Sequence, residues 1–328
     1  MNMNNINNFY YYKIYNLNVK SDIDLPELNY NKYEFLPNID VNITLGSCPK
    51  MLENIKVSNE YYTLNENEAM FERRECGKFY IEKGTKIIIE PIKNANYEHL
   101  KAFIYGRSFA VLLFQRNTLA LHGNSVVLDD EAFIFCGSSG AGKSTLSTAL
   151  TLKGYTMLSD DLSVINFTEL NKPVVCPGLI NNKLCVDTIN YFNLNKNMLV
   201  KVDEYADKYA LAPLATSFKT SKKLTNIVEL EVDYKNTDRE VAIKEIYGEE
   251  KLQTIFKNVF RMNLLTDIGL KPQYLKNCLN AAKNIRIFKL TRPNGKFTLD
   301  DQINLIEKIK GLYQKNLIFA DKEKEVRI

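Results

Sequence analysis

A glycine-rich stretch directly after an apolar run constrains the fold of this chain more than any other feature. The β-prone residues Phe133–Cys136 lead into GSSGAGKS (residues 137–144), which matches the pattern G-x-x-x-x-G-K-[ST]. Residues that favour a helix then run from Lys143 to Lys153, and Gly154 predicts the helix end. Strand, glycine-rich turn and helix in this order predict an α/β unit that holds a phosphate group at a helix N-terminus.

The predicted phosphate site depends on backbone conformation as much as on side chains. Gly137, Gly140 and Gly142 can adopt positive φ, so that successive N–H groups converge on one anion. The pattern further predicts that Lys143 reaches the β- and γ-phosphates and that the Ser144 hydroxyl completes the shell of a Mg²⁺ ion. The residues predicted to hold ATP are Gly137, Ser138, Ser139, Gly140, Ala141, Gly142, Lys143, Ser144 and Thr145.

Two adjacent carboxylates follow the next predicted strand, YTMLS. An acid at the end of a nearby strand holds Mg²⁺ in P-loop proteins, so Asp160-Asp161 predicts a metal ligand there. The second carboxylate offers a proton acceptor for an incoming hydroxyl group, or alternatively a turn or helix-capping residue. The residues alone leave both interpretations open.

The chain contains two histidines, and one of them lies close to this unit. His122-Gly123 stands on the strand or turn predicted to pair with the strand before the glycine-rich loop, where His122 is either a structural residue or part of the site. His99 falls on a predicted helix and is expected at the surface.

Composition excludes several classes of protein. The net charge of +4 over 328 residues is too small to predict nucleic-acid binding. The apolar run Phe109–Phe114 is far shorter than the roughly 20 residues of a membrane span, and the N-terminus lacks the apolar core of a secretory signal. We therefore expect a cytoplasmic protein without nucleic-acid or membrane partners, and reduced thiols at its six cysteines.

Patterning along the chain predicts two domains. Short β-prone segments separated by turns occupy the first part, and helical spacing begins near Glu98. We predict a β-rich N-terminal domain over residues 1–97 and a P-loop catalytic domain over residues 98–328, which includes helical runs at Glu250–Leu265 and Gln273–Asn284.

The segment from Leu121 to Phe167 resembles the catalytic core of HPr kinase/phosphorylase and its stand-alone relatives. His-Gly, the P-loop, a helix ending in Lys-Gly and an Asp-Asp pair occur in the order and spacing of that family. The resemblance implies a phosphoenolpyruvate-carboxykinase-like P-loop kinase fold with a mixed β-sheet, preceded here by a small β-rich domain. It also implies transfer of the γ-phosphoryl group of ATP, with Mg²⁺, to a serine hydroxyl of a peptide or protein, such as a natural-product precursor peptide.

The resemblance also implies roles for individual residues. Asp160 would be the base, Asp161 would hold Mg²⁺ together with Ser144, and His122 would line the reaction centre. Arg261 corresponds to an arginine that relatives carry in a helical run, and it is the predicted second cation beside Lys143. Lys183 and Lys208 are weaker candidates for such a cation.

The sequence departs from the HPr enzymes after the acid pair. Residues 175–179 lack the acid and the arginine of the Glu-x-Arg-Gly-x-Gly signature, so neither HPr as acceptor nor a phosphorylase reaction is implied. A small-molecule kinase and a nucleotide-binding regulator with little catalysis stay as alternatives. Asp203–Pro213 would line an acceptor channel or be an ordinary loop. The acceptor, the choice between ATP and GTP, and a homo-oligomeric state are not determined by the sequence.

Overall fold

The computed structural model describes residues 9–180, 183–193, 199–203, 208–211 and 220–310. Within these ranges the chain forms a nine-stranded sheet, a helical segment, an eight-stranded mixed sheet and a small three-stranded sheet. The α/β class and the mixed sheet that the sequence predicted are both confirmed.

The N-terminal sheet is built from strands whose buried and exposed residues alternate. Leu17, Val19 and Ser21 face the core from one strand, which is the two-residue period of a half-buried sheet. The first two strands form a hairpin, because Tyr15 and Asn16 both adopt positive φ and turn the chain back. The strands, in spatial order β3-β1-β2-β4-β9-β8-β7-β6-β5, are β1 (Tyr10–Ile14), β2 (Leu17–Ser21), β3 (Lys32–Tyr33), β4 (Val41–Leu45), β5 (Val57–Ser58), β6 (Tyr62–Leu64), β7 (Glu68–Arg73), β8 (Gly77–Glu82) and β9 (Lys86–Pro91), with a 3-10 turn at Pro26–Asn31.

A helical segment connects the two large sheets. Helix α1 (Tyr97–Phe103) begins at Asn96, whose side chain accepts hydrogen bonds from the backbone of its first turn. A π-helical turn (Ile104–Ser108) follows, and then α2 (Phe109–Gln115). Every residue of α2 is buried, because the helix packs on β8 of the first sheet and on the first strand of the second sheet. His99 is exposed on α1, as predicted.

The second large sheet holds the predicted strand and glycine-rich loop. Its spatial order is β11-β10-β13-β14-β18-β20-β19, with β12 on β10; β11 also pairs with β18, so the sheet curls onto itself. Asp129 and Asp130 form the predicted turn between β10 and β11, both with positive φ. In chain order, the strands of this sheet and of the three-stranded sheet (β15-β17-β16) are β10 (Leu119–Leu128), β11 (Glu131–Gly137), β12 (Thr156–Ser159), β13 (Leu162–Phe167), β14 (Pro173–Val175), β15 (Lys183–Cys185), β16 (Leu199–Asp203), β17 (Lys208–Leu211), β18 (Lys222–Asp233), β19 (Ala242–Ile246) and β20 (Arg286–Pro293).

The remaining helices cover this sheet. One prediction was wrong: the single helical run Glu250–Leu265 is two helices, and Arg261 lies in the turn between them with a φ of 57°. The helices are α3 (Lys143–Leu152), α4 (Val186–Tyr191), α5 (Glu249–Lys257), α6 (Met262–Ile268), α7 (Pro272–Asn284) and α8 (299–310).

One hydrophobic core runs from the first sheet through α1 and α2 into the second sheet. The Phe103 ring lies 4.2 Å from that of Phe79 and 5.5 Å from that of Phe71, and Leu121 and Ile134 of the second sheet belong to the same cluster. The strands of the first sheet end at residue 91 and those of the second begin at residue 119, so the domain boundary at residue 97 stays a prediction. None of the helices described is both long and apolar enough to cross a bilayer.

Candidate functional site

The glycine-rich loop has the backbone conformation that the sequence predicted. Gly137, Gly140 and Gly142 adopt φ values of 134°, 81° and 106°. A Cβ atom on Gly137 would lie 2.4 Å from the backbone oxygen of Leu230, because β11 runs directly against β18 at this point. Only glycine therefore fits where the strand ends and the loop begins.

Helix α3 starts at the end of this loop and carries no side-chain cap. Gly142 is the N-cap residue, and glycine has no side chain that could accept a hydrogen bond from the first turn. The Lys143 ammonium lies over the loop, where its Nζ donates to the backbone oxygens of Gly137 (2.8 Å) and Ser138 (3.1 Å). With Lys143 only 9% exposed, the loop combines a buried positive charge with a helix N-terminus. This is an environment that favours an anion.

Arg292, which the sequence analysis missed, supports the outer side of the loop. Arg292 lies on β20. Its Nε donates to the backbone oxygen of Ala141 (3.3 Å), and its Nη2 donates to the backbone oxygen of Gly140 (3.2 Å). Burial lowers the pKa of Arg292. No local pattern could reveal this contact, because 151 residues separate Arg292 from Ala141.

A cavity of about 230 Å³ adjoins the loop. Gly140, Gly142, Thr145, Arg292 and Phe297 are among the residues that line it. The Thr145 hydroxyl lies 3.0 Å from that of Thr188 on α4. The cavity thus opens beside the first turn of α3.

The acid pair reaches the same edge of the sheet as the loop. Strands β11 and β12 lie on either side of β10 and both run antiparallel to it: Gly123 of β10 pairs with Cys136, and Ser125 pairs with Ser159. Both outer strands therefore end at one edge, and two strand spacings separate them by roughly 10 Å. Gly137 continues from one strand end and Asp160 from the other.

The two carboxylates differ in their surroundings. Asp160 is 5% exposed, whereas the side chain of Asp161 is 66% exposed. The Leu162 N–H donates to the backbone carbonyl oxygen of Asp160 at 2.8 Å. This bond closes a three-residue turn, and Asp161 at its centre adopts a φ of 65°. Such turns are strained for a residue other than glycine, and strain of this kind is concentrated at functional sites.

Asn124 links the acid pair to α3, and the sequence analysis missed this residue too. Its Nδ2 donates to the Ser147 hydroxyl (2.8 Å), and its Oδ1 accepts from the Asp161 N–H (3.3 Å). The Ser147 hydroxyl donates in turn to the backbone oxygen of Lys143 at 2.8 Å. Asn124 is 1% exposed, so this buried network fixes the turn at Asp161 relative to the first turn of α3.

His122 lies beside the acid pair on β10. Its Nδ1 is 3.2 Å from Asp161 Oδ1, although the geometry makes no hydrogen bond with any described group. Burial lowers the pKa of His122; the Asp161 carboxylate raises it, and the Lys143 and Arg261 cations lower it further. The net direction is downward, so the imidazole is neutral at pH 7.

Arg261 contributes from the turn after α5. Its guanidinium lies 5.5 Å from the Phe260 ring, and that ring is 5.6 Å from His122. The structure thus brings Arg261 towards His122 without placing it on a helix.

The weaker candidates Lys183 and Lys208 begin β15 and β17, but their side chains lie outside the described part. In the segment Asp203–Pro213, for which an ordinary loop was one expectation, Asp203 ends β16 and residues 208–211 form β17; the other residues lie outside the described part.

The predicted Mg²⁺ ligands supply suitable donor atoms. The Ser144 hydroxyl and the Asp161 carboxylate are hard oxygen donors of the kind that Mg²⁺ prefers. Within the described residues no three or more His, Cys, Asp or Glu side chains form a metal-binding group. The two-residue donor set fits an ion that keeps water ligands and shares phosphate oxygens.

No protein-family model matches the chain, and no curated protein matches it. Among solved structures, it is similar to the Hpr(Ser) kinase/phosphatase from Coxiella burnetii, with 15% sequence identity and a TM-score of 0.31. The match covers 63% of this chain and 98% of that one, and the relation is a distant one.

Proposed function

We propose that the protein is an ATP-dependent kinase that phosphorylates a serine hydroxyl of a peptide or protein. The observation that carries the proposal is the meeting of two elements at one sheet edge: the uncapped helix N-terminus at Gly142 and the strained acid pair Asp160-Asp161. A cationic loop and two carboxylates at one edge of a sheet are the elements that phosphoryl transfer needs.

In this proposal the triphosphate lies along residues 137–145. The N–H groups of the loop and the Lys143 ammonium bind its oxygens, and phosphate replaces the backbone oxygens that Lys143 now contacts. The nucleoside extends past Thr145 into the 230 Å³ cavity, where Phe297 offers an aromatic face. Arg292 keeps the outer part of the loop in place.

Magnesium, held by Ser144 and Asp161, would supply positive charge to the phosphate oxygens. The strained turn at Asp161 would then have a function, because it leaves the carboxylate exposed beside His122 at the end of β12. Asn124 is a positioning residue, because its hydrogen bonds hold the turn at Asp161 in a fixed position relative to α3.

Asp160 is the proposed base. The serine oxygen forms a bond to the γ-phosphorus, the bond from that phosphorus to the bridging oxygen breaks, and ADP leaves with the electron pair. The hydroxyl proton passes to the Asp160 carboxylate. Arg261 and Lys143 offset the charge on the moving group, and the neutral His122 contacts the acceptor side.

A pair of aspartate variants tests this proposal. Asp160→Asn keeps the size of the side chain, so binding of Mg·ATP should persist while transfer to serine falls by at least about 100-fold. Asp130→Asn, in the exposed turn between β10 and β11, is the control and should act like the wild type.

Calorimetry measures the binding of Mg·ATP. Phosphoryl transfer is measured with labelled ATP and a library of serine peptides, as the mass increase of one phosphoryl group. Transfer by Asp160→Asn at the wild-type rate excludes Asp160 as the base. Tight ATP binding without transfer to any peptide or small hydroxyl compound would instead identify a nucleotide-binding regulator.

A further inference from the structure

Three arginines from separate parts of the chain lie together beside the proposed site. Arg73 ends β7, Arg107 belongs to the π-helical turn, and Arg261 lies between α5 and α6. The guanidinium carbon of Arg73 is 5.7 Å from the centre of the Phe103 ring, and that of Arg107 is 5.6 Å from the same ring. We call Arg73, Arg107 and Arg261 the arginine cluster.

Arg73 and Arg107 lie over the same Phe103 ring, and Arg261 is near enough for its charge to act on Arg107. Burial lowers the pKa of Arg107, and the charges of Arg261 and Arg73 lower it further, in that order. The Phe71 and Phe103 rings, each 5.6 Å from Arg107, stack on its guanidinium but cannot neutralise it. Holding three like charges together costs free energy that a bound anion would offset.

No acid of the described part of the chain forms an ion pair with these arginines. Each of the ion pairs found there involves other residues, and none includes a member of the arginine cluster. Asp267 of α6 accepts a hydrogen bond from the Tyr62 hydroxyl at 2.5 Å and pairs with no arginine. Tyr62 raises the pKa of Arg107 only as the weakest of the influences on it.

The cluster adjoins the acceptor side of the site rather than the nucleotide side. Arg261 lies over Phe260, whose ring contacts His122, and His122 lies beside Asp161. None of the three arginines lines the cavity beside Thr145. The triphosphate is assigned to the loop, and Arg261 is the one member of the cluster assigned to the moving phosphoryl group. An anion held by Arg73 and Arg107 beside it would therefore belong to the acceptor.

We propose that the arginine cluster binds an oxyanion of the acceptor, a carboxylate or a phosphate group that lies near the reacting hydroxyl. Arginine suits this role because its planar guanidinium donates two parallel hydrogen bonds to such a group. The inference rests on the proposed kinase function for the identity of the ligand as an acceptor. The anion site itself is a property of the three side chains.

Equilibrium binding tests the anion site without relying on catalysis. The probes are acetyl-Ser peptides followed by zero to three glycines, each with a free C-terminal carboxylate or as the neutral amide, and one amide with a neighbouring phosphoserine. Calorimetry or NMR titration is run with the full chain, with and without saturating Mg·ATP analogue. We expect at least one carboxylate or phosphoserine probe to bind about tenfold more tightly than its neutral partner, with an advantage that shrinks in high salt.

Variants test whether the arginine cluster causes this difference in affinity between anionic and neutral probes. Arg73→Gln is exposed and should fold, and it should remove most of the advantage; Arg107→Lys should reduce it, since lysine keeps the charge but loses the planar fork. Arg74→Gln, at the exposed neighbouring position, is the matched control and should leave it intact. Equal binding of anionic and neutral probes, or an equal loss in Arg74→Gln, overturns the proposal.

The same experiments distinguish failure of the anion site from failure of the kinase function. A preference for phosphoserine over every carboxylate probe assigns the oxyanion to phosphate, and the reverse assigns it to carboxylate. Anion binding that depends on Arg73 without any phosphoryl transfer overturns the kinase function and leaves the anion site standing. Phosphoryl transfer to neutral and anionic peptides alike, with equal affinity, supports the kinase function and overturns the anion site.

Discussion

Replacing Asp161 with glycine separates backbone strain from function. Asp161 adopts a φ of 65° at the centre of the three-residue turn, and Asp130 adopts a φ of 68° in the turn between β10 and β11. The two positions therefore share residue type and nearly the same positive φ. Only Asp161 belongs to the proposed Mg²⁺ site, so Asp130→Gly is the matched control for Asp161→Gly.

The expected change in stability is small for both variants. Glycine relieves roughly 1–2 kcal/mol of left-handed strain but costs about 0.4–1 kcal/mol through the greater freedom of the unfolded chain. Asp161 also loses its contact with His122, and Asp130 its ion pair with Lys222; because both carboxylates are largely exposed, each loss is worth at most about 1 kcal/mol. The free energy of unfolding should therefore stay within about 1 kcal/mol of the wild type in both cases.

Nucleotide binding should distinguish the two variants. The affinity for a non-hydrolysable ATP analogue is measured by calorimetry with Mg²⁺ and with EDTA, and the ratio gives the contribution of the metal. Asp161→Gly should lose at least about tenfold in that contribution, the scale seen when even an outer partner of a metal ligand is removed. Asp130→Gly should lose nothing. A contribution from Mg²⁺ that survives in Asp161→Gly refutes the assignment, and a loss of several kcal/mol in stability refutes the reasoning on strain.

Three further outcomes follow from the same contacts. Asn124→Ala should lower stability by roughly 1–3 kcal/mol, measured by urea unfolding, because the buried Ser147 oxygen loses its donor and the Asp161 N–H loses its acceptor, and transfer should fall with it. The lowered pKa of His122 predicts that stability is complete above the unfolded value of about 6.5 and falls as the pH drops below it, because the unfolded chain binds the proton first; melting curves of His122→Gln should lack this component. Gly137→Ala should prevent stable folding, because its Cβ would meet the Leu230 oxygen at 2.4 Å, whereas Gly140→Ala, where a Cβ has open space, should fold and cost about 1–2 kcal/mol in thermal unfolding. A stable Gly137→Ala protein would contradict the close pairing of β11 with β18.

Local features of the fold could be predicted because they depend on neighbouring residues. The strand before Gly137, the positive φ of the three loop glycines and the length of α3 all follow from propensity and steric limits. The break after α5 could not, since a run of helix-favouring residues does not reveal that Arg261 adopts a left-handed conformation. Element boundaries inside such runs depend on what the segment packs against.

The sequence by itself determined a strand, a glycine-rich loop, a helix and an acid pair in series, because each of these is specified within a few residues. Tertiary structure alone decided that the loop and the acid pair share one edge, since that depends on β10 lying between β11 and β12. It also decided the contacts of Asn124 and Arg292 and the meeting of three arginines from β7, the π-helical turn and the turn after α5. Such contacts join residues far apart in the chain, and only packing brings them within range of charge and hydrogen bonding.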